Sequence, residues 1–428
     1  MTQSAAGHPG PAAMPPLWRQ IRWRILLLLL AVTIVNFVDR QSLSIVAPIL
    51  REKLALSNTD YGIIVSSFMF GMMLGEFPMG WLMDRRGVRF GLSFAVAWWS
   101  LANALHAFGQ SMLHFSLLRF WLGTGECGNY SGGVKTVAQW FPVRERAFAV
   151  GVFNAGSMIG SVLAPPLIVW ITLKFGWHAA FLIPSSLGFL WVGFWLKWFY
   201  APAQHPRLSE AERRCIVEGS ERDSAPPSNA QLLRVRQSWA VMLCRAFVGP
   251  VVQFYWFWMP EYFYRVRGFS LKLIGMFTWV PYLFGDFGSL GGGLAAGYLL
   301  HKGMSVNSTR RATMFLGAAL CLSSLAVALA PGAGGAIALI SAVMFGHTFL
   351  SANMFAVISD FFPKNAVGRV TALSGIAGGT SGMLFPLLSG YLVDRVSYLP
   401  VFAIAAFMPL AGVLVLYALG GKVRRVDL

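Results

Sequence analysis

Long apolar segments dominate the chain and recur, with short polar interruptions, from Ile21 to Leu419. A run of about 20 mostly apolar residues can cross the hydrocarbon core of a bilayer as a helix. We number these segments spans 1 to 12 in chain order. The pattern predicts helices over residues 21–49, 61–83, 88–110, 113–139, 146–172, 177–200, 239–264, 271–299, 309–330, 333–361, 367–392 and 396–419.

A long polar segment divides the spans into two sets of six. Within it, Leu208 to Glu218 predicts a short surface helix capped by Ser209. The sets echo each other, since Trp140-Phe-Pro follows span 4 and Phe361-Phe-Pro follows span 10, which indicates an internal duplication. We therefore predict an all-α membrane protein with twelve transmembrane helices in two pseudo-symmetric six-helix bundles. The predicted regions are an N-terminal tail (1–20), the first bundle (21–200), a central loop (201–238), the second bundle (239–420) and a C-terminal tail (421–428).

The composition excludes a soluble protein of this size, because 56% of the 428 residues are hydrophobic and the mean hydropathy is +0.60. The net charge of +17 is concentrated on alternate connections between spans. By the positive-inside rule, both termini and the central loop are cytoplasmic. This distribution favours the lipid bilayer, and not nucleic acid, as the partner of the basic residues. They include Arg19, Arg22, Arg24, Arg85, Arg86, Arg89, Arg144, Arg146, Lys302, Arg310, Arg311, Lys364, Arg369, Lys422, Arg424 and Arg425.

The remaining composition offers no sign of catalytic chemistry. The four cysteines show no paired or metal-like spacing, and no glycine-rich segment forms a phosphate-binding loop after a strand. Residues 1–16 lack the short apolar region of a signal peptide, so we expect span 1 to be retained. We predict no metal, no cofactor and no enzyme activity.

Charged residues inside two spans are the best indication of function. Asp39 and Arg40 lie in span 1, and Arg119 and Glu126 lie in span 4. A charge near the bilayer centre costs roughly 2.5 to 3.5 kcal/mol on insertion scales, so it normally faces a cavity or a partner. Arg119 and Glu126 share one helix face about 10 Å apart, too far to pair directly. The four charges suggest a proton-linked path for an anion; the alternative is ion pairs that only brace the helices.

A turn after span 2 resembles the signature loop of the major facilitator superfamily. Its residues, Gly80-Trp-Leu-Met-Asp84-Arg85-Arg86-Gly87-Val-Arg89, match the pattern G-x-L-x-D-R-x-G-x-R in full. The resemblance implies that the acid caps and locks a neighbouring helix end when the transporter faces outward. A carboxylate at a helix N-terminus is stabilised by the helix dipole. The gating residues that it implies are Arg119, Asp84, Arg85, Arg89, Glu145 and Arg146.

Within that superfamily, the chain resembles the anion:cation symporter branch, and more narrowly the bacterial hexuronate and related sugar-acid transporters. The resemblance rests on Asn36-Phe-Val-Asp-Arg40, on Arg119 to Glu126, and on Val134 to Arg146, among other segments. It implies that Asp39 and Glu126 carry protons and that Arg40 meets the substrate carboxylate. It also implies a monomer in the bacterial inner membrane.

Further polar and aromatic positions are candidates for the substrate cavity. Glu76, Met72 and Ser157 stand where relatives tend to have glutamine, tyrosine and glutamine, so they leave the particular sugar acid open. Arg245, Glu261 and Asp286 are interpreted as gate or bracing charges, and His347 as a helix-packing residue. The full predicted substrate-binding set is Arg40, Phe37, Met72, Glu76, Ser157, Gln253, Tyr255, Ser351 and Asn353.

These observations predict a proton-coupled symporter that imports a small organic anion, in particular a hexuronate or related sugar acid, by alternating access. Three alternatives stay open. The chain could be an organic-anion exchanger, a proton-driven exporter of cations with Glu76 as the key acid, or a membrane sensor that transports nothing. The sequence leaves the proton:substrate ratio open.

Overall fold

The computed structural model describes residues 16, 20–218 and 227–426, so the predictions for most of the N-terminal tail, with Arg19, and for residues 427–428 lie outside the described residues. The described chain is built of helices. The α-helices are α1 (Ile21–Leu54), α2 (Asn58–Leu105), α3 (Met112–Trp140), α4 (Val143–Phe175), α5 (Ala179–Trp198), α6 (Glu210–Glu218), α7 (Asn229–Leu233), α8 (Arg236–Arg265), α9 (Leu271–Phe277), α10 (Trp279–His301), α11 (Val306–Cys321), α12 (Ser324–Val327), α13 (Gly332–Phe361), α14 (Lys364–Arg395) and α15 (Tyr398–Gly420).

The helices account for all twelve predicted spans, although the boundaries differ. Nine helices in the described part of the chain are long and apolar enough to cross a membrane. One of them, α2, contains both span 2 and span 3, because the chain reverses at Gly87 with a φ of 80°, a conformation that favours glycine. Span 4 is α3, and span 8 is divided between α9 and α10. The predicted twelve-helix architecture is confirmed.

Helix α1 extends beyond its predicted end at residue 49 to Leu54. Hydropathy falls at Arg51 and Lys53, but the backbone hydrogen bonds continue until Ala55 adopts a left-handed conformation with a φ of 50°. Span 1 therefore carries a basic last turn, which favourably meets the negative end of the helix dipole.

The first half (α1–α5) and the second half (α8–α15) contact each other at the end of the molecule that holds the connection between α1 and α2. There, Arg51 of α1 pairs with Glu261 of α8, and the Tyr61 hydroxyl donates to the Phe257 carbonyl at 2.7 Å. Asp394 of α14 accepts hydrogen bonds from the backbone N–H groups of Asn58 and Thr59 at 3.0 and 2.7 Å. We call these contacts the closed gate.

The central loop is attached to the first half. The carboxylate of Glu212 in α6 accepts the backbone N–H groups of Ile21 and Arg22 at 3.2 and 3.0 Å, so it caps α1. Ser209 Oγ accepts a hydrogen bond from the backbone N–H of Glu212 at 3.2 Å. The predicted surface helix and its Ser209 cap are therefore present. The cap fixes α6 against the start of α1.

Candidate functional site

A cavity of about 410 Å³ lies between the two halves and holds most of the predicted substrate-binding residues. Its walls come from α1 to α4 of the first half and from α8, α13 and α14 of the second. Because both halves contribute, a molecule bound here would contact both of them. The predicted residues that line this central cavity are Phe37, Arg40, Met72, Glu76, Glu126, Ser157, Gln253 and Ser351.

An ion pair between Arg40 and Glu126 is the main charged feature of the cavity wall. Arg40 Nε donates to Glu126 Oε2 at 2.9 Å, and a second guanidinium nitrogen donates to Asn36 Oδ1 at 3.3 Å. The guanidinium also lies over the rings of Phe37 and Phe68, 4.5 and 5.4 Å from their centroids. The Glu126 side chain is fully buried, whereas 12% of the Arg40 side chain is accessible. Both residues line the cavity, and Arg40 is the more accessible member of the pair.

Asp39 lies behind this pair, outside the cavity lining. It is completely buried, and its Oδ1 accepts a hydrogen bond from Asn103 Nδ2 at 2.8 Å. Successive residues of a helix point about 100° apart, which directs Asp39 toward α2 while Arg40 faces the cavity. Although they are adjacent in the sequence, Asp39 and Arg40 do not pair with each other in the described chain.

Arg119 joins the cluster through the backbone. One of its guanidinium nitrogens donates to the Arg40 carbonyl at 3.1 Å, and the side chain is 1% exposed. No ion pair joins it to Glu126 within the described residues, which agrees with their seven-residue spacing. We refer to Asp39, Arg40, Arg119 and Glu126 as the charged cluster.

Two predicted substrate contacts, Tyr255 and Asn353, do not line the cavity in this structure. The hydroxyl of Tyr255, which is 1% exposed, lies 2.7 Å from Ser324 Oγ and faces away from the cavity. Asn353 is also buried, and it binds the Gly292 carbonyl and Arg310, both at 3.1 Å. Each lies two residues after a cavity residue, Gln253 or Ser351, and a two-residue step rotates the side chain by about 200° around the helix. Both are packing residues in this structure.

The predicted gating residues bind partners within the first half or its connections. Asp84 pairs with Lys135 at 2.6 Å, and Arg146 donates to the carbonyls of Phe141 and Ala138, both at 3.0 Å. Glu145 lies 3.5 Å from Arg22. Arg85 lies over the Trp81 ring at 5.3 Å, and Arg89 over the Tyr200 ring at 4.3 Å. None of these described contacts crosses to the second half, so their gating role stays a prediction.

Sequence reasoning missed several residues that line the central cavity. Asn36 lies one helical turn from Arg40, a spacing that could have revealed it. Trp256 of the second half packs edge to face against Phe37 of the first half, with their ring centroids 5.9 Å apart. The sequence predicts a gate or bracing charge at Arg245, but in the described chain this residue has no acidic partner within 4.0 Å and lies over the Phe355 ring at 4.6 Å. It is therefore a second arginine on the cavity wall.

Two other predictions for charged or polar residues agree with the structure. Glu261, interpreted as a gate or bracing charge, pairs with Arg51 and also with Arg265 at 2.9 Å. His347, interpreted as a packing residue, lies on the cavity wall with Nε2 2.9 Å from the Val248 carbonyl, so it joins α13 to α8.

Comparison with known proteins connects this geometry to a family. The profile of the Major Facilitator Superfamily matches residues 29–377 and 308–426. The chain is 31% identical over 403 residues to the hexuronate transporter of Escherichia coli (strain K12), covering 93% of each. It is 30% identical over 427 residues to the probable galactarate/D-glucarate transporter GudP of Bacillus subtilis (strain 168), covering 95% of this chain and 94% of that protein.

The same fold occurs among solved structures. The crystal structure of a D-xylose-proton symporter superposes with a TM-score of 0.71 at 16% identity, covering 93% of this chain and 97% of that one. The apolar helices, the cavity between two halves and the full-length matches agree with one another. The chain is a multi-pass membrane protein and belongs to the Major Facilitator Superfamily of transporters.

Proposed function

We propose that this protein is a proton-coupled symporter that imports a sugar acid, in particular a hexuronate, across the bacterial inner membrane. The observation that carries the proposal is the Arg40–Glu126 pair, whose arginine reaches the cavity while its acid is buried. An arginine held by a protein carboxylate can exchange that partner for a substrate carboxylate. Relatives named for hexuronate and for galactarate/D-glucarate transport support the substrate class.

Protonation of Glu126 couples the proton to the substrate in this scheme. A neutral Glu126 no longer competes for Arg40, so the guanidinium is free to hold the substrate carboxylate bidentately. Loss of the proton on the cytoplasmic side restores the ion pair and displaces the substrate. Asp39 supplies a second proton site close behind, in the pocket formed with Asn103.

The charge balance gives the direction of transport. Two protons carried with one monoanion move one net positive charge inward. One charge crossing a potential of 100 mV is worth about 2.3 kcal/mol, so a membrane potential that is negative inside drives uptake.

The rest of the cavity suits a polyhydroxylated molecule. Ser157, Gln253 and Ser351 offer hydroxyl and amide groups from α4, α8 and α13. The Phe37 and Trp256 rings, one from each half, offer apolar faces for a sugar ring. We assign the termini and central loop to the cytoplasm on the basis of the basic connections. In that orientation the closed gate is periplasmic, and the conformation faces inward.

Uptake of D-glucuronate into proteoliposomes tests the proposal. An inward pH gradient should drive accumulation by the wild-type protein, and Glu126→Gln should abolish accumulation while it retains counterflow exchange. Arg40→Lys should lose both activities, because an ammonium cannot reproduce the bidentate contact. Full gradient-driven accumulation by Glu126→Gln and Asp39→Asn contradicts the proposal. Wild-type exchange without any gradient-driven accumulation favours the organic-anion exchanger.

A dicarboxylic sugar acid is a second candidate substrate, and Arg245 favours it. The guanidinium of Arg245 belongs to the second half, opposite Arg40, so the cavity can offer one arginine to each end of an aldarate. Arg245→Ala should weaken galactarate binding more than D-glucuronate binding in a titration of the purified protein. Equal losses for the two ligands would exclude this candidate.

A further inference from the structure

Asp286 lies in a side pocket of about 240 Å³ next to the central cavity. The side pocket is formed by α1 and α4 of the first half and by α8, α10 and α13 of the second. It adjoins the central cavity through residues that line both spaces. These shared residues are Phe37, Asn154, Ser157, Val252 and Trp256.

Asp286 has no charged partner in this pocket. In the described part of the chain it forms no ion pair within 4.0 Å, whereas Glu126, Glu261 and Asp360 each pair with an arginine. The other lining groups are apolar, aromatic, amide or hydroxyl, and Tyr282 is the only other titratable one. Of the two roles that the sequence predicts for Asp286, gate or bracing charge, the structure therefore shows no ion pair that would support bracing.

An unpaired carboxylate in a membrane-spanning helix is energetically costly, and the carboxyl group can remove that cost by binding a proton. Asn154, Ser161 and Ser289 line the same pocket, and their hydroxyl and amide groups are of types that hydrogen-bond a neutral carboxylic acid as well as a carboxylate. The polar groups of the pocket lining are thus compatible with both protonation states.

The position of the side pocket connects Asp286 to the conformational cycle. Asn154, Ser157 and Ser161 belong to the first half, whereas Asp286, Ser289 and Thr348 belong to the second. A rocking motion of the halves changes the separation of these two walls, and with it the access of water to the carboxyl group. A group with such alternating access can take up a proton on one side and release it on the other.

We propose that Asp286 is a third proton-coupling site, which carries one proton per cycle in addition to those on Asp39 and Glu126. This inference rests on the proposed function as a proton-coupled symporter. With a monoanionic hexuronate, three protons move two net positive charges, so the membrane potential drives transport more strongly than with two protons.

The proton count can be measured directly from the equilibrium accumulation of D-glucuronate in proteoliposomes whose membrane potential is held at zero. Each proton adds a factor of about ten per pH unit, which corresponds to about 1.36 kcal/mol. With a gradient of about 0.5 pH units, three protons give an accumulation ratio of about 32, and two give about 10.

The wild-type protein should reach a ratio of about 32 and Asp286→Asn a ratio of about 10. Asp286→Glu should restore the higher ratio, and Glu210→Gln, which neutralises an exposed acid outside both cavities, should keep it. A wild-type ratio of about 10, or an unchanged ratio in Asp286→Asn, overturns the inference. A ratio that does not respond to pH in the wild-type protein overturns the proposed function instead. The wild-type ratio decides the count even if Asp286→Asn does not fold.

Discussion

Neutralising Glu261 should shift the conformational equilibrium of the transporter. The Glu261 side chain is fully buried, and it binds Arg51 from the opposite half and Arg265 from its own helix. Arg51 is only 4% exposed and donates also to Asn58 Oδ1 at 2.9 Å. The pair belongs to the closed gate, so it stabilises the conformation in which this end is closed. Glu261→Gln retains the shape of the side chain and removes its charge.

The expected magnitude follows from the burial of the pair. Removal of one partner of a buried ion pair typically costs about 3 to 5 kcal/mol. Glutamine still accepts a hydrogen bond, so we expect about 2 to 3 kcal/mol, or roughly a 30- to 150-fold shift in the equilibrium constant. A closed-gate population of 99% would fall to between roughly 75 and 40%.

Distances between spin labels can measure this shift. Labels at Lys53 and Lys272 report on the closed gate, and labels at Arg144 and Lys364 report on the opposite end of the two halves. Glu261→Gln should lengthen the first distance and shorten the second in a large fraction of molecules. Glu210→Gln is a matched control, because its pair with Arg214 is exposed and lies within α6. An unchanged distance distribution in a folded Glu261→Gln protein would refute the gate assignment.

Other residues give predictions that independent measurements can check. Gly62→Ala places a methyl group 2.5 Å from the Pro386 carbonyl across the two halves, so it should favour the open gate in the same distance measurement, whereas Gly193→Ala, with nothing within 4 Å, should not. Glu212→Gln weakens the cap of α1 and should lower the free energy of unfolding by about 1 kcal/mol in thermal denaturation, with no effect expected from the exposed Glu210→Gln. Burial lowers the pKa of His205, in the connection after α5, below its usual 6.5. Because the unfolded chain then binds more protons, His205 should reduce stability as the pH falls below about 6.5, and His205→Gln should remove that part of the pH dependence in thermal unfolding; parallel wild-type and variant curves would contradict this.

The sequence was sufficient to predict the twelve spans and the charged cluster for clear physical reasons. Span length is determined by bilayer thickness, and charges such as Arg40 and Glu126 are so costly in a membrane that they must face a cavity or a partner. The phase of each helix was harder to predict. Tyr255 and Asn353 have suitable chemistry for sugar hydroxyls. Each lies two residues after a cavity residue, Gln253 or Ser351, so its side chain points to the other side of the helix and packs against neighbouring helices.

The sequence alone also could not predict which charged residues pair when they lie far apart in the chain. The Arg51–Glu261 pair joins residues 210 positions apart, and no local pattern connects them. Likewise, the sequence predicts gate or bracing charges at Arg245 and Asp286, whereas the structure places them on the walls of the two pockets without an ion-pair partner in the described chain. Pairing across the two halves depends on how the bundles pack, which the apolar pattern of each span leaves undetermined.

The most direct test of the account is proton movement coupled to the substrate in the wild-type protein. Proteoliposomes that enclose a pH-sensitive dye, with no initial pH gradient and with the membrane potential held at zero, would receive D-glucuronate outside. Coupled import predicts that the interior becomes acidic as the sugar acid enters, and that Glu126→Gln abolishes this acidification. Entry of D-glucuronate without any change in internal pH would contradict the proposed proton coupling.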